Sequence, residues 1–182
     1  MLLRAAYAAS MPQLLLVLLV LATTRQLARL ADFLALFTVT SLATVVTASL
    51  LPAAGAFVHF DPPAALRANV GADAGIWHLA HFEALRSGAM RAIDPGTIEG
   101  LVTFPSFRAA LAVITAWALV RTRWLALPGL CLNGLVIAST VPIGGHYFVD
   151  VLAGMAIAGA AIGALAAWHG RHEAHVAYVA TG

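Results

Sequence analysis

The sequence predicts an all-α protein, a polytopic transmembrane helix bundle of about five spans forming one domain over residues 1–182. Three observations predict it. Hydrophobic residues make up 62% of the chain and charged ones 10%, with a mean hydropathy of +0.91, whereas a soluble protein carries roughly 45–50% apolar and about 25% charged residues. So few charges cannot cover that much apolar surface in water, but in a bilayer the lipid solvates the outer face. The apolar residues also fall into five runs, about 5–23, 30–52, 105–120, 124–141 and 147–168. Finally, Arg, Pro and Gly punctuate the runs in the way that ends helices and sets their orientation.

The first run is dense in Leu from Leu14 to Leu21 and is followed by Arg25 and Arg29, with only Arg4 before it. That bias favours a helix whose C-terminal end is cytoplasmic; the competing reading is a secretory signal peptide. The second run carries Asp32 near its start and is stopped by Pro52, Gly55 and Asp61-Pro62-Pro63. The loop 53–104 is the most polar part of the chain, and a loop this long either works or carries short helices of its own. Ala74 to Met90, with Trp77 and Phe82, reads as one or two interfacial helices. The third run ends at Arg121-Thr122-Arg123, a second cytoplasmic signal, and the fourth closes at Pro142-Ile143-Gly144-Gly145. In the last, Gly154, Gly159 and Gly163 predict a stripe where two backbones approach closely. Cys131, the one cysteine, reads as a small packing residue.

The polar punctuation at Gly144-Gly145-His146-Tyr147-Phe148-Val149-Asp150 is the candidate site. If a helix begins near Tyr147, the four-residue spacing stacks the Asp150 carboxylate against the His146 ring. A carboxylate on one ring nitrogen fixes the tautomer and makes the other nitrogen a better base or nucleophile. A capping pair between packed spans is the alternative. Charge counting puts this turn, the long loop and the start of the third long run on the extracytoplasmic face. There Phe104-Pro105-Ser106-Phe107-Arg108 opens a helix whose free N–H groups form an anion site.

These two turns, in this order and one helical hairpin apart, resemble the phosphatidic acid phosphatase type 2 superfamily of lipid phosphatases and phosphotransferases. The resemblance covers about residues 83 to 165. Within the superfamily, Phe-Pro-Ser-Phe and Gly-Gly-His-Tyr with the following Asp look most like the inositol phosphorylceramide synthase-like branch. It implies that His146 takes the phosphoryl group and Asp150 orients it, with no metal and no cofactor. Ser106, Phe107 and Arg108 match or flank the family's Pro-Ser signature and are expected at the substrate phosphate. Its Lys-and-Arg-Pro signature is missing, and Arg86 and Arg91 are the candidates to supply that charge. The family's phosphate-gripping Arg is Thr140 here. Its six spans, with the N-terminus inside, imply that the first is lacking.

Arg108 stands where the family carries the His that protonates the leaving group, and an Arg cannot give up a proton near neutral pH. Three readings stay open: a phosphatase whose leaving group needs no proton, such as a lipid diphosphate; another donor, among His78, His81 and Glu83; or an impaired member that binds lipid phosphate or serves a structural role. Arg108 could also be a snorkelling interfacial Arg, and Arg86 and Arg91 could pair with Glu83 and Asp94. His169, His172, His175 and Glu173 read as a solvated tail rather than a metal site.

The expected partners are a lipid phosphate substrate and membrane lipids. Nucleic acid is not expected, because the ten basic residues, all Arg, are scattered singly among acids. An Ala- and Arg-rich chain without Lys associates with bacteria of GC-rich genome. That makes the expected location the bacterial inner (plasma) membrane.

Overall fold

The computed structural model describes residues 1–60, 63, 83–84, 87–89 and 103–181, with side chains through His172. It is all-helical over these residues. Helix α1 runs Leu2–Thr23, α2 Leu27–Leu50, the single-turn α3 Ala56–Phe60, α4 Phe107–Leu119, α5 Ala126–Thr140 and α6 Phe148–Thr181.

The first pair shows how sequence becomes a membrane helix. In α1, Ala6, Ser10, Gln13, Val17 and Leu21 are buried, one inward residue per turn, while Leu15, Leu16 and Leu19 on the other sides are exposed. Pro12 lies inside the helix without ending it, as neighbouring helices allow in a bundle. Thr23 and Thr24 then return their hydroxyls to the carbonyls of Leu19 and Val20, and Arg25 turns the chain with φ 54°. Helix α2 repeats the pattern, with Phe33, Leu36, Thr40 and Thr44 inward and Leu34, Val39, Leu42, Val45 and Val46 outward. Exposed Leu and Val on this scale suit lipid and not water.

Helix α4 is the centre. It packs against α1, α2, α5 and α6, so Ala109 to Ala112, Ile114, Thr115, Ala118 and Leu119 are all buried. Val17 and Leu21 of α1, Phe33 and Leu36 of α2, and Ala158 and Ala161 of α6 close on Leu111, Ile114 and Leu119 to form the main core. Lipid tails are as apolar as these side chains, so what holds the helices together is contact packing rather than escape from water.

Three helices have the length and apolar character of membrane spans: Leu2–Thr23, Leu27–Leu50 and Phe148–His172. The third and fourth expected spans, 105–120 and 124–141, form helices of only 13 and 15 residues, about 20 and 22 Å at 1.5 Å per residue against a hydrocarbon core of about 30 Å. The Ser106 cap starts α4 late, and it starts beside the middle of α2, where the Phe37 and Phe107 rings meet edge to face at 5.9 Å. At the other end α6 does not stop near Trp168 but continues as one helix to Thr181. His169 is not simply solvated, since its Nε2 lies 3.3 Å from Asp32 Oδ1 at the start of α2.

Two further expectations are corrected. Gly154 does face a close backbone, but nothing lies within 4 Å of where a Cβ on Gly159 or Gly163 would sit. Periodicity alone cannot say which turn of a helix meets its neighbour. Cys131 is exposed on α5 rather than packed.

Among the described residues, Arg25, Arg29, Arg121 and Arg123 gather at one end of the bundle. Arg29, at the foot of α2, donates to the carbonyl of Ala118 near the end of α4, as suits a cation at a helix C-terminus. The α1–α2 turn and the Arg121–Arg123 turn therefore share one end. The starts of α4 and α6 lie at the other, with α3 against them.

Candidate active site

Two chain reversals build the site. At the first, Ser106 has an extended backbone and its hydroxyl oxygen accepts the Ala109 N–H at 3.4 Å, which makes it the N-cap of α4. It is wholly buried, and its own N–H donates to the carbonyl of Asp150 at 2.9 Å.

At the second reversal, α5 hands its last carbonyls to the turn. The Thr140 carbonyl accepts the N–H of Gly144 at 3.0 Å and of His146 at 3.4 Å, and the Ser139 carbonyl that of Ile143 at 2.9 Å. Gly145 occupies the left-handed region with φ 65°, open to glycine at little cost. Its carbonyl accepts the Ala56 N–H at 2.7 Å and so ties α3 to the turn. Tyr147 then caps α6, and Asp150 three residues on reaches back with Oδ2 to the Tyr147 N–H at 2.9 Å, the acidic half of a capping box.

Asp150 is therefore shared between the cap and the histidine. Its Oδ2 lies 3.4 Å from His146 Nδ1, with the two side chains 2% and 11% exposed. His146 Nδ1 has no hydrogen-bond partner, so the contact is a charge contact at the outer limit and not a closed hydrogen bond. Catalytic hydrogen bonds are often long until substrate arrives. The N-terminus of α6 favours a carboxylate in its first turn. With Nδ1 turned to that carboxylate, Nε2 is the nitrogen left for chemistry.

A pocket of about 340 Å³ opens on His146, lined also by Ala56, Phe57, Phe60, Val141, Tyr147 and Phe148. Its wall is apolar and largely aromatic, and α3 supplies nearly half of it.

The remaining expected residues are distributed as follows. The Arg108 guanidinium turns to α1: Nη1 donates to the Tyr7 carbonyl at 3.0 Å and to Ser10 Oγ, and Cζ lies 3.9 Å from the Tyr7 ring centroid. Phe107 packs on Phe37 and the main core. Thr140 is fully buried, with its hydroxyl donating to the Ile137 carbonyl at 2.6 Å. A much longer Arg side chain has no room at so buried a position without displacing its neighbours. Arg86, Arg91, His78 and His81 lie outside the described residues, while Glu83 is exposed. No group of three or more potential metal ligands occurs among the described residues.

Sequence reasoning missed the share of α1 and α3. Tyr7 sits in an apolar run whose bland reading is a spanning helix, and Ala56 to Phe60 in a loop. A faint signal existed: Tyr7 is one of only three tyrosines in the chain, and Phe57 and Phe60 share one turn.

No curated protein and no solved structure matches this chain. A family profile does, over residues 1–164, which spans both reversals and all five long helices up to the middle of α6. With three helices fit to cross a bilayer, the chain is an integral membrane protein, and it belongs to the PAP2 superfamily, which points to phosphatase-type chemistry in general.

Proposed function

We propose that this chain is a membrane lipid phosphatase or phosphotransferase working through a phosphohistidine at His146, nearest within its superfamily to the inositol phosphorylceramide synthase-like branch. The observation that best supports the reading is the buried Asp150. One carboxylate caps the helix, faces His146 Nδ1 and sits on the chain segment that hydrogen-bonds Ser106, so the two signature turns are held as a unit. Nε2 attacks the phosphorus of the headgroup, a P–N bond forms as the P–O bond to the leaving group breaks, and that oxygen departs with the electron pair. Water or a polyol hydroxyl then attacks phosphorus as the P–N bond breaks, the electron pair returns to Nε2, and the proton of the attacking hydroxyl is released to water. The aromatic pocket beside His146 suits the apolar part of a lipid next to its phosphate.

Arg108 narrows the substrate. A lipid diphosphate attacked at its terminal phosphorus expels the lipid monophosphate, which leaves without being protonated, whereas a phosphomonoester expels an alkoxide that needs a proton Arg108 cannot give. The Arg-rich turns at the opposite end support an extracytoplasmic site.

Purified protein is assayed on a polyprenyl diphosphate and on phosphatidic acid, with His146→Ala as control. The expected result is phosphate release that is faster from the diphosphate and falls to background in His146→Ala. Equal release by both proteins rejects the catalytic reading. The second reading, a lipid-phosphate-binding protein without turnover, is favoured by the engagement of Arg108 with α1, and predicts binding of both lipids with no release.

A further inference from the structure

Helix α1 carries a residue that no signature of the site includes. The point where a Cβ on Gly144 would sit is 2.9 Å from His146 Cδ2 and 3.1 Å from Tyr7 Cε2, so an edge of each ring borders the same point, about 6 Å apart at most, over a residue with no side chain. Cδ2 is bonded to Nε2, the nitrogen turned from Asp150. Cε2 is bonded to the carbon that bears the phenolic hydroxyl. The neighbouring edges are thus the reactive edge of the histidine and the hydroxyl end of the tyrosine.

Tyr7 is half-buried and fixed from two directions. Its ring face carries the Arg108 guanidinium at 3.9 Å, and its carbonyl accepts from Arg108 Nη1 at 3.0 Å and from Ser10 Oγ at 2.7 Å. The same cation raises the potential beside the ring, which favours an anionic oxygen there. A phenol is a donor at neutral pH, and a donor aimed where charge gathers in the transition state is the kind of group phosphoryl transfer depends on.

We propose that Tyr7 belongs to the active site, its hydroxyl donating a hydrogen bond to a non-bridging oxygen of the phosphoryl group held at His146 Nε2, with Arg108 locking the ring in place. This rests on the phosphoryl-transfer reading of His146. It gives Arg108 a second task besides any contact of its own with phosphate: joining α1 to the catalytic turn.

Tyr7→Phe keeps the ring and its contact with Arg108 and removes only the hydroxyl, while Tyr7→Ala removes both. Wild type and both variants are compared for kcat and KM on the polyprenyl diphosphate, for orthovanadate affinity by calorimetry and for thermal midpoint. Tyr7→Phe is expected to keep the midpoint, to lose about 10- to 100-fold in kcat/KM chiefly through kcat, and to bind orthovanadate about 10-fold more weakly, as fits the loss of one hydrogen bond to a charged group. Tyr7→Ala is expected to lose at least as much and to melt lower. Wild-type rate and orthovanadate affinity in Tyr7→Phe overturn the proposal, whatever Tyr7→Ala does. If the wild type proves no faster than His146→Ala, the phosphoryl-transfer reading fails separately, and orthovanadate binding then decides for Tyr7. Equal affinity of wild type and Tyr7→Phe, or binding by neither, overturns it.

Discussion

Asp150 carries two duties with one oxygen. Oδ2 accepts the Tyr147 N–H and also faces His146 Nδ1. In Asp150→Asn a neutral amide keeps an oxygen for the cap but removes the charge that would stabilise an imidazolium or a phosphohistidine. The expected outcome is a loss of about 10²- to 10⁴-fold in kcat with a modest fall in thermal midpoint, since a cap contributes about 1 kcal/mol. A large fall in midpoint with an unchanged rate per folded molecule would reduce Asp150 to a helix cap. Arg108 presents the opposite case. It was legible as a departure from the family's histidine, but its contacts with Tyr7 and Ser10 were not, because they join residues about a hundred positions apart. Arg108→His should therefore loosen α1 at a cost of roughly 1.5–3 kcal/mol in stability, that of a charged hydrogen bond, and so lower the melting temperature. Any gain in turnover on phosphatidic acid must be read per folded molecule.

At the scale of elements, the seat of α6 on the Ser106 turn decides whether a site exists at all. A Cβ on Gly154 would lie 2.1 Å from the carbonyl oxygen of Ser106, which is backbone and cannot rotate away. Gly154→Ala is expected to push α6 off the turn, at the roughly 1–3 kcal/mol typical of overpacking, and to cut activity by more than its stability loss explains, since Ser106 N–H and Asp150 O would part. Gly159→Ala and Gly163→Ala meet open space and should match wild type in melting and rate, or gain slightly from helix propensity. Thermal melting of the three variants in detergent checks this, and equal effects at all three would remove the special position of Gly154. Helix α4 shows why short helices suffice at the centre: a helix surrounded by four others does not need lipid on its flanks.

For the molecule as a whole, the Arg25, Arg29 and Arg121–Arg123 end and the His146 end are opposite, and the charge bias favours the cytoplasm for the first. With Cys131 replaced by Ser, a cysteine at Phe60, beside the site, is expected to react in intact cells with a membrane-impermeant thiol reagent. A cysteine at Arg123 should react only after permeabilisation. The reverse pattern would turn the protein over and move the site to the cytoplasmic face.

Much of this architecture is local, and the sequence by itself determined that part. Runs of Leu, Ala and Val make helices and place them in lipid, Ser106 and Asp150 announce helix starts from one turn of chain, and the His146 to Asp150 spacing sets the pair on one face. These follow from short-range geometry and from solvent, which composition reports directly. Helix length was less legible. The apolar runs at 105–120 and 124–141 overstated α4 and α5, because residues beyond the Ser106 cap and before Ala126 are apolar without being helical. Only the tertiary structure decided which glycine touches a neighbour, that Thr140 is wholly buried, that α3 walls the pocket, and that Tyr7 of the first helix and His146 border the same point at Gly144. Each of these depends on how far one helix slides and turns against another. That choice is made by side-chain packing summed over the bundle, and no single stretch of sequence contains it.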